Sequence, residues 1–371
     1  MRPRVLPVLL FAIGFSAALT TAQTSAPTTR ETKMNNDQRI LEGVPAVGFN
    51  RKRDGSYHFC PLVGSVHSVL TYVKDAPNYG TMMAVSGAAF RSVWEKDDGG
   101  NVDLMYLAPT PHERLFDALG YDYDVVDGMN EEAMRKAIVS SIDRGVPVIA
   151  FGIMGPPEAG VVTGYEEGGK ILRGWSYFDH DPPGKYYRRE NWYARMEKHV
   201  LIGALVLGRK RLHKPTEQAT AVATLEWAID LATTPQRKNL PNHAFGTAAY
   251  DAWAAALGVD ADFPVDDEKV MARRRMLYDD QLMMLSERGH AAKYLVELAK
   301  KFPEAAEPLE KASMFYKQAG DRASPLSATR TRIAEKKVRT DAVVHIQAAR
   351  DAETAGVEEL KKALAILKRK H

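Results

Sequence analysis

His58-Phe59-Cys60-Pro61-Leu62-Val63-Gly64-Ser65-Val66-His67-Ser68-Val69-Leu70 is the stretch on which the reading of this 371-residue chain turns. Cys60 is its one cysteine. No intramolecular disulfide is open to it, so the thiol is buried, paired between molecules, or reactive. Proline suits the first turn of a helix, where the N–H it lacks would have no partner. Pro61 therefore predicts a helix start with Cys60 at the N-cap. There the unpaired backbone N–H groups and the positive end of the helix dipole favour a thiolate, which is the electrostatic setting of a cysteine nucleophile. A small buried hydrophobe at a helix start is the competing reading, and position alone leaves both open.

Outward from this stretch, the spacing predicts further helices over residues 81–94, 112–119 and 130–144. The last is capped by Asn130, with Glu131 and Glu132 in its first turn and Met134, Ala137, Ile138 and Ile142 on one face. Strand-like segments follow at 147–153, 160–165, 170–175 and 200–207. Glu166-Glu167-Gly168-Gly169 supplies a hairpin turn between two of them. Helices first and an antiparallel sheet second make this half α+β. Beyond Pro215 strand signals vanish, and apolar positions recur at three and four over 219–231, 244–257, 268–287, 290–301, 304–319 and 323–364. Breaks at Pro235, Gly258, Gly289, Pro303 and Gly320 give the short loops of a helical bundle. Two domains are expected, 40–212 and 213–371.

The N-terminus places Arg2 and Arg4 before an apolar run over 5–19, then Thr20-Thr21-Ala22-Gln23. That order reads as a secretory signal peptide, residues 1–22, cleaved after Ala22. The run is shorter than the roughly 20 residues a spanning helix needs. Residues 23–39 read as a flexible spacer. The expected location is the periplasm or the medium, with no integral membrane segment after cleavage. Lys and Arg number 50 against 47 Asp and Glu, and no basic stripe marks a nucleic-acid partner. HExxH, CxxC, P-loop and dinucleotide fingerprints are absent from the sequence, so no metal or cofactor is expected.

The order of parts, a cysteine opening the first long helix, then helices, then an antiparallel sheet, resembles the papain-like cysteine peptidases. Leu41-Glu42-Gly43-Val44-Pro45, Cys60-Pro61-Leu62, Ser86-Gly87-Ala88-Ala89-Phe90-Arg91, Gly145 to Ala150 and Gly155 to Tyr165 look like the branch containing the butirosin biosynthesis protein H N-terminal domain and relatives of bacteriocin-processing peptidases. Ala244 to Trp253 resembles the helical region that often accompanies that domain. The resemblance implies a papain-like domain followed by a helical domain, with Cys60 as nucleophile of a thiol hydrolase or acyltransferase. An acyltransferase of the branch draws on carrier-protein thioesters, which an exported chain would not meet.

The resemblance also implies a histidine base at the start of the strand after the helical half. That slot falls within Glu158-Ala159-Gly160-Val161 and holds none. His67 lies seven residues along the helix from Cys60, about 10 Å away, and His58 is close in sequence for a shared substrate. His180, in Asp179-His180-Asp181-Pro182, and Glu158 are the replacements the residues offer, against readings as a turn residue and a surface carboxylate. The glutamine that usually precedes the cysteine is missing from 51–59, leaving the Cys60 N–H with Tyr57 or His58 as oxyanion donors. Candidate catalytic residues are thus Cys60, Glu158 and His180. Candidate ligand-binding residues are Tyr57, His58, Trp175 and Tyr177, the last two from an aromatic cluster with Arg188 and Arg189 at its rim, which alternatively closes the core. Two functions remain open: a thiol enzyme with an unorthodox base, or a non-catalytic module that binds a peptide or small molecule on a degenerate peptidase scaffold.

Overall fold

The computed structural model describes residues 37–49, 58–96, 105, 107–178, 187–196 and 202–369. The expected signal peptide, most of the spacer, Tyr57 and His180 lie outside them. Residues Asn36–His371 form one compact unit. The described chain is α+β, and its elements in order are Arg39–Ile40 (β1), Pro61–Tyr72 (α1), Tyr79–Val85 (α2), Val93–Glu95 (β2), Pro111–Leu119 (α3), Tyr121–Asp127 (β3), Glu131–Asp143 (α4), Val148–Phe151 (β4), Ala159–Glu166 (β5), Ile171–Trp175 (β6), Tyr187–Glu190 (β7), Trp192–Arg195 (α5) and Ile202–Lys210 (β8). The remainder is Glu217–Thr233 (α6), His243–Phe245 (β9), Thr247–Leu257 (α7), Glu268–Ser286 (α8), Arg288–Lys301 (α9), Ala306–Asp321 (α10), Ala323–Thr329 (α11) and Lys336–Lys368 (α12).

Among the described residues the main sheet is antiparallel and seven-stranded, in the order β3-β8-β4-β5-β6-β7, with β1 added against Gly164 and Tyr165 of β5. Central strands β4 and β5 are buried along nearly their whole length, as befits strands covered on both faces. α1 packs on β5 and β4 through an apolar face, on which Val63, Val66, Val69 and Leu70 are inaccessible or nearly so. One hydrophobic cluster runs from Leu70, Phe116 and Val162 of the sheet half to Leu225, Leu295, Leu309 and Leu360 of the helical half. The sheet ends at Lys210 and helix takes over from Glu217, where the composition changes.

Three expectations need correction. The helix expected over 81–94 stops at Val85. Gly87 there adopts a left-handed φ of +89°, and a Cβ on it would stand 2.5 Å from the Trp227 indole nitrogen. The chain then straightens into β2, because Val93, Trp94 and Glu95 pair with Phe245, Ala244 and His243. That same ribbon contradicts the disappearance of strands beyond Pro215: a partner far along the chain makes strand of a segment that periodicity assigns to helix. The stretch 323–364 is two helices, parted at Arg330–Arg332. β3 and β7 fall in none of the expected strand segments: Asp122, Asp124 and Asp127 of β3 and Arg188 and Glu190 of β7 are exposed, where the central strands are apolar almost throughout.

Candidate functional site

Pro61 occupies the first turn of α1, and Cys60 is its N-cap residue with an extended backbone, φ −86° and ψ 108°. The cap position is therefore as expected, but the environment is not that of an accessible nucleophile. Cys60 is 5% exposed. Among the described residues, Sγ has one hydrogen-bonding side chain: Arg91 Nη1 donates to it over 3.6 Å. Arg91 Nη2 lies 3.0 Å from Glu287 Oε2, the Glu287 side chain buried and that of Arg91 11% exposed. The Cys60 N–H donates to the Tyr79 hydroxyl at 3.3 Å.

Burial pushes the Cys60 thiol above its ordinary range; the Arg91 cation pulls it down and the Glu287 carboxylate pushes it up again. Burial dominates. It likewise raises Glu287 to about 7, against the pull of Arg91 and Arg288, while Glu287 holds Arg91 protonated above its usual range in spite of burial. Tyr79 and Tyr177 are both raised by burial first, with the nearby Cys60 sulfur next.

A cleft of about 460 Å³ runs beside this buried group. Its wall along α1 is Gly64, His67, Ser68 and Thr71, which share one flank because they are spaced three and four apart. Asn78, Tyr79 and Gly80 at the start of α2, Pro45 to Val47, Tyr177, and His290 with Lys293 of α9 complete it. His58 also lines it and stacks on Tyr79, ring centres 3.7 Å apart and planes 8° from parallel. His290 and His67 meet the same tyrosine edge-on at 5.2 and 5.9 Å. The Tyr177 side chain crosses α1 where Gly64 leaves room: a Cβ on Gly64 would stand 1.8 Å from the Tyr177 hydroxyl. That hydroxyl is buried without a hydrogen-bond partner among the described residues.

The structure thus brings together Cys60, His58 and Tyr177 of the candidate residues. Glu158 is exposed, at the residue before β5; its backbone closes a turn through Gly152 N to Glu158 O at 3.1 Å, and its charge reaches the group only as a minor influence on Tyr177. Trp175 is buried, its indole donating to Val44 O at 3.1 Å, and Trp192 likewise donates to Gly169 O at 3.0 Å. These two aromatics are part of the core, whereas Tyr177 of the same cluster lines the cleft. Arg188 pairs with Glu166 and Glu190 on the outer strand. His180 and Tyr57 fall outside the described residues.

Sequence reasoning did not find Tyr79, Arg91, Glu287, His290 or Lys293. Arg91 does stand at the end of one of the stretches that carry the family resemblance. Glu287 and Arg288 stand beside the Gly289 break, and a Glu-Arg pair at a helix junction ordinarily reads as solvated surface. Among the described residues no group of three or more His, Cys, Asp or Glu side chains is placed to hold a metal ion, and no helix is long and apolar enough to cross a membrane. No protein-family model matches the chain, and no curated protein matches it.

Proposed function

We propose that this chain is an exported protein on a papain-like scaffold that binds a peptide or small molecule in the cleft beside α1, and that Cys60 is not used as a nucleophile. The observation that carries this reading is the double engagement of Cys60, whose N–H is given to Tyr79 and whose Sγ sits against Arg91. Acyl transfer through a thiol needs a base within reach to make the thiolate and that N–H free to meet the developing oxyanion. Here the N–H is already spoken for, and the side chain on the sulfur is a cation that accepts no proton.

The rival reading, a thiol hydrolase or acyltransferase, draws on the same Arg91, since a guanidinium beside sulfur favours thiolate. Burial and Glu287 oppose it and prevail. Alkylation of Cys60 by iodoacetamide across pH separates the two. Resistance in the native protein, with reaction only after denaturation, and no change in Glu158→Ala, is the expected result. A native thiolate titrating well below about 8.5, the value of an unperturbed thiol, would restore the enzyme.

A further inference from the structure

The cleft's chemistry is one-sided, and this narrows what it holds. No Asp or Glu lines it among the described residues, whereas Lys293 brings a full positive charge and His58, His67 and His290 bring three imidazoles around a single tyrosine ring. Lys293 and His290 are three residues apart on α9 and so present to the same side. Against Gly64 of α1, the hydroxyl of Tyr177 is an orphan. The residue is 6% exposed, it lines the cleft, and its oxygen has no hydrogen-bond partner among the described residues. A buried hydroxyl without a partner forfeits free energy that a bound acceptor would return. Ser68 and Thr71 spend their hydroxyls on Pro45 O and His67 O, Asn78 Oδ1 accepts from Gly80 N, and the Tyr79 hydroxyl accepts from Cys60 N.

We propose that the cleft is a site for a small organic carboxylate with a flat apolar body. The carboxylate is drawn by Lys293 and His290 and takes the proton of the Tyr177 hydroxyl as a hydrogen bond, while the body lies along the aromatic face made by His58 and Tyr79 and against Pro45 and Val47. A volume of about 460 Å³ is within the range of small-molecule sites. This rests on the binding-module reading above and names its ligand class.

The test is a titration of the full chain, with carbon-13 histidine, by sodium benzoate and by benzamide, its uncharged counterpart. Benzoate is expected to saturate and to shift the His58, His67 and His290 resonances, with benzamide at least tenfold weaker. Lys293→Met and Tyr177→Phe should each weaken benzoate roughly tenfold, the scale of one hydrogen bond to a charged group. Tyr177→Phe removes a hydroxyl that has no partner, so its melting temperature should hold or rise. A merely structural role for Tyr177 would instead lower melting and leave the benzoate-to-benzamide ratio alone. Equal binding of the two probes, no saturation by either up to about 10 mM, or shifts confined to other histidines overturns the proposal. Iodoacetamide run on the same samples keeps the two readings apart: an inert thiol with no carboxylate preference sinks this inference alone, and a reactive thiol sinks the non-catalytic reading whichever probe binds.

Discussion

Gly64 decides more than its size suggests. Glycine inside a helix forgoes about 1 kcal/mol relative to alanine, and α1 accepts this because the Tyr177 hydroxyl occupies the space of the missing Cβ. Gly64→Ala therefore sets a helix gain of about 1 kcal/mol against an overpacking cost of about 1–3 kcal/mol. With the oxygen only 1.8 Å away, overpacking wins. We expect net destabilisation of about 1 kcal/mol in urea unfolding, and recovery of most of it when Tyr177→Phe removes the clashing atom. A stabilised single variant would mean that Tyr177 swings freely. At this scale the sequence was informative about Cys60: the Cys-Pro step predicts an N-cap, and Cys60 is one. It could not say whether the thiol meets solvent, because that depends on Arg91 and Glu287, which lie 31 and 227 positions further on.

Among the elements, the entry to α9 is tied by a buried ion pair. Arg288 and Glu353 are fully inaccessible and pair at 2.9 Å. Arg288 also donates to Ser92 Oγ at 2.6 Å, and the Tyr250 hydroxyl donates to Glu353 at 2.7 Å. One buried cluster thereby joins α7, α9 and α12 to the residue before β2. Removing one member strands a charge in a dry core, so Arg288→Met should lower stability by about 3–5 kcal/mol. Arg288→Met with Glu353→Leu should recover much of that loss, since an apolar replacement of both partners leaves nothing unpaired. Denaturant midpoints of the two variants check this, and an equally unstable pair would contradict it. These ties explain which elements were legible. α3, α4, α6 and α8 carry their own side-chain caps and fall close to the expected positions, and α9, which has no side-chain cap, falls there on periodicity alone. β2 and β9 are strands only because each has the other, so no local window over residues 81–94 or 244–257 reveals them.

For the molecule as a whole, pH acts through a carboxyl buried between the halves of the sequence. Glu287 stands at about 7 when folded, against 4.5 as its ordinary value. Between those values the folded protein keeps a proton that the unfolded chain has released. The resulting stability is present in full below about pH 4.5 and is lost as pH rises to about 7. Asp280, raised by burial to about 6, adds to the slope in the same direction. Glu287 alone accounts for about 3 kcal/mol across that window. Urea midpoints measured from pH 5 to pH 8 should fall more steeply for the parent than for Glu287→Gln. Parallel curves would mean that Arg91 keeps Glu287 ionised throughout.

The ribbon of β2 and β9 has a consequence in time. Val93 stands opposite Phe245, so roughly 150 residues must leave the ribosome before the earlier strand has anything to pair with. At about 5–20 residues per second that is a wait of roughly 10–30 s. Throughout it Trp94, which ends up buried against Ala244 and Trp253, and the open edge beside it are available to other nascent chains or to a chaperone. The ribbon therefore cannot close until residue 245 has been made, and a chain interrupted before Phe245 carries an unmet strand for as long as it exists.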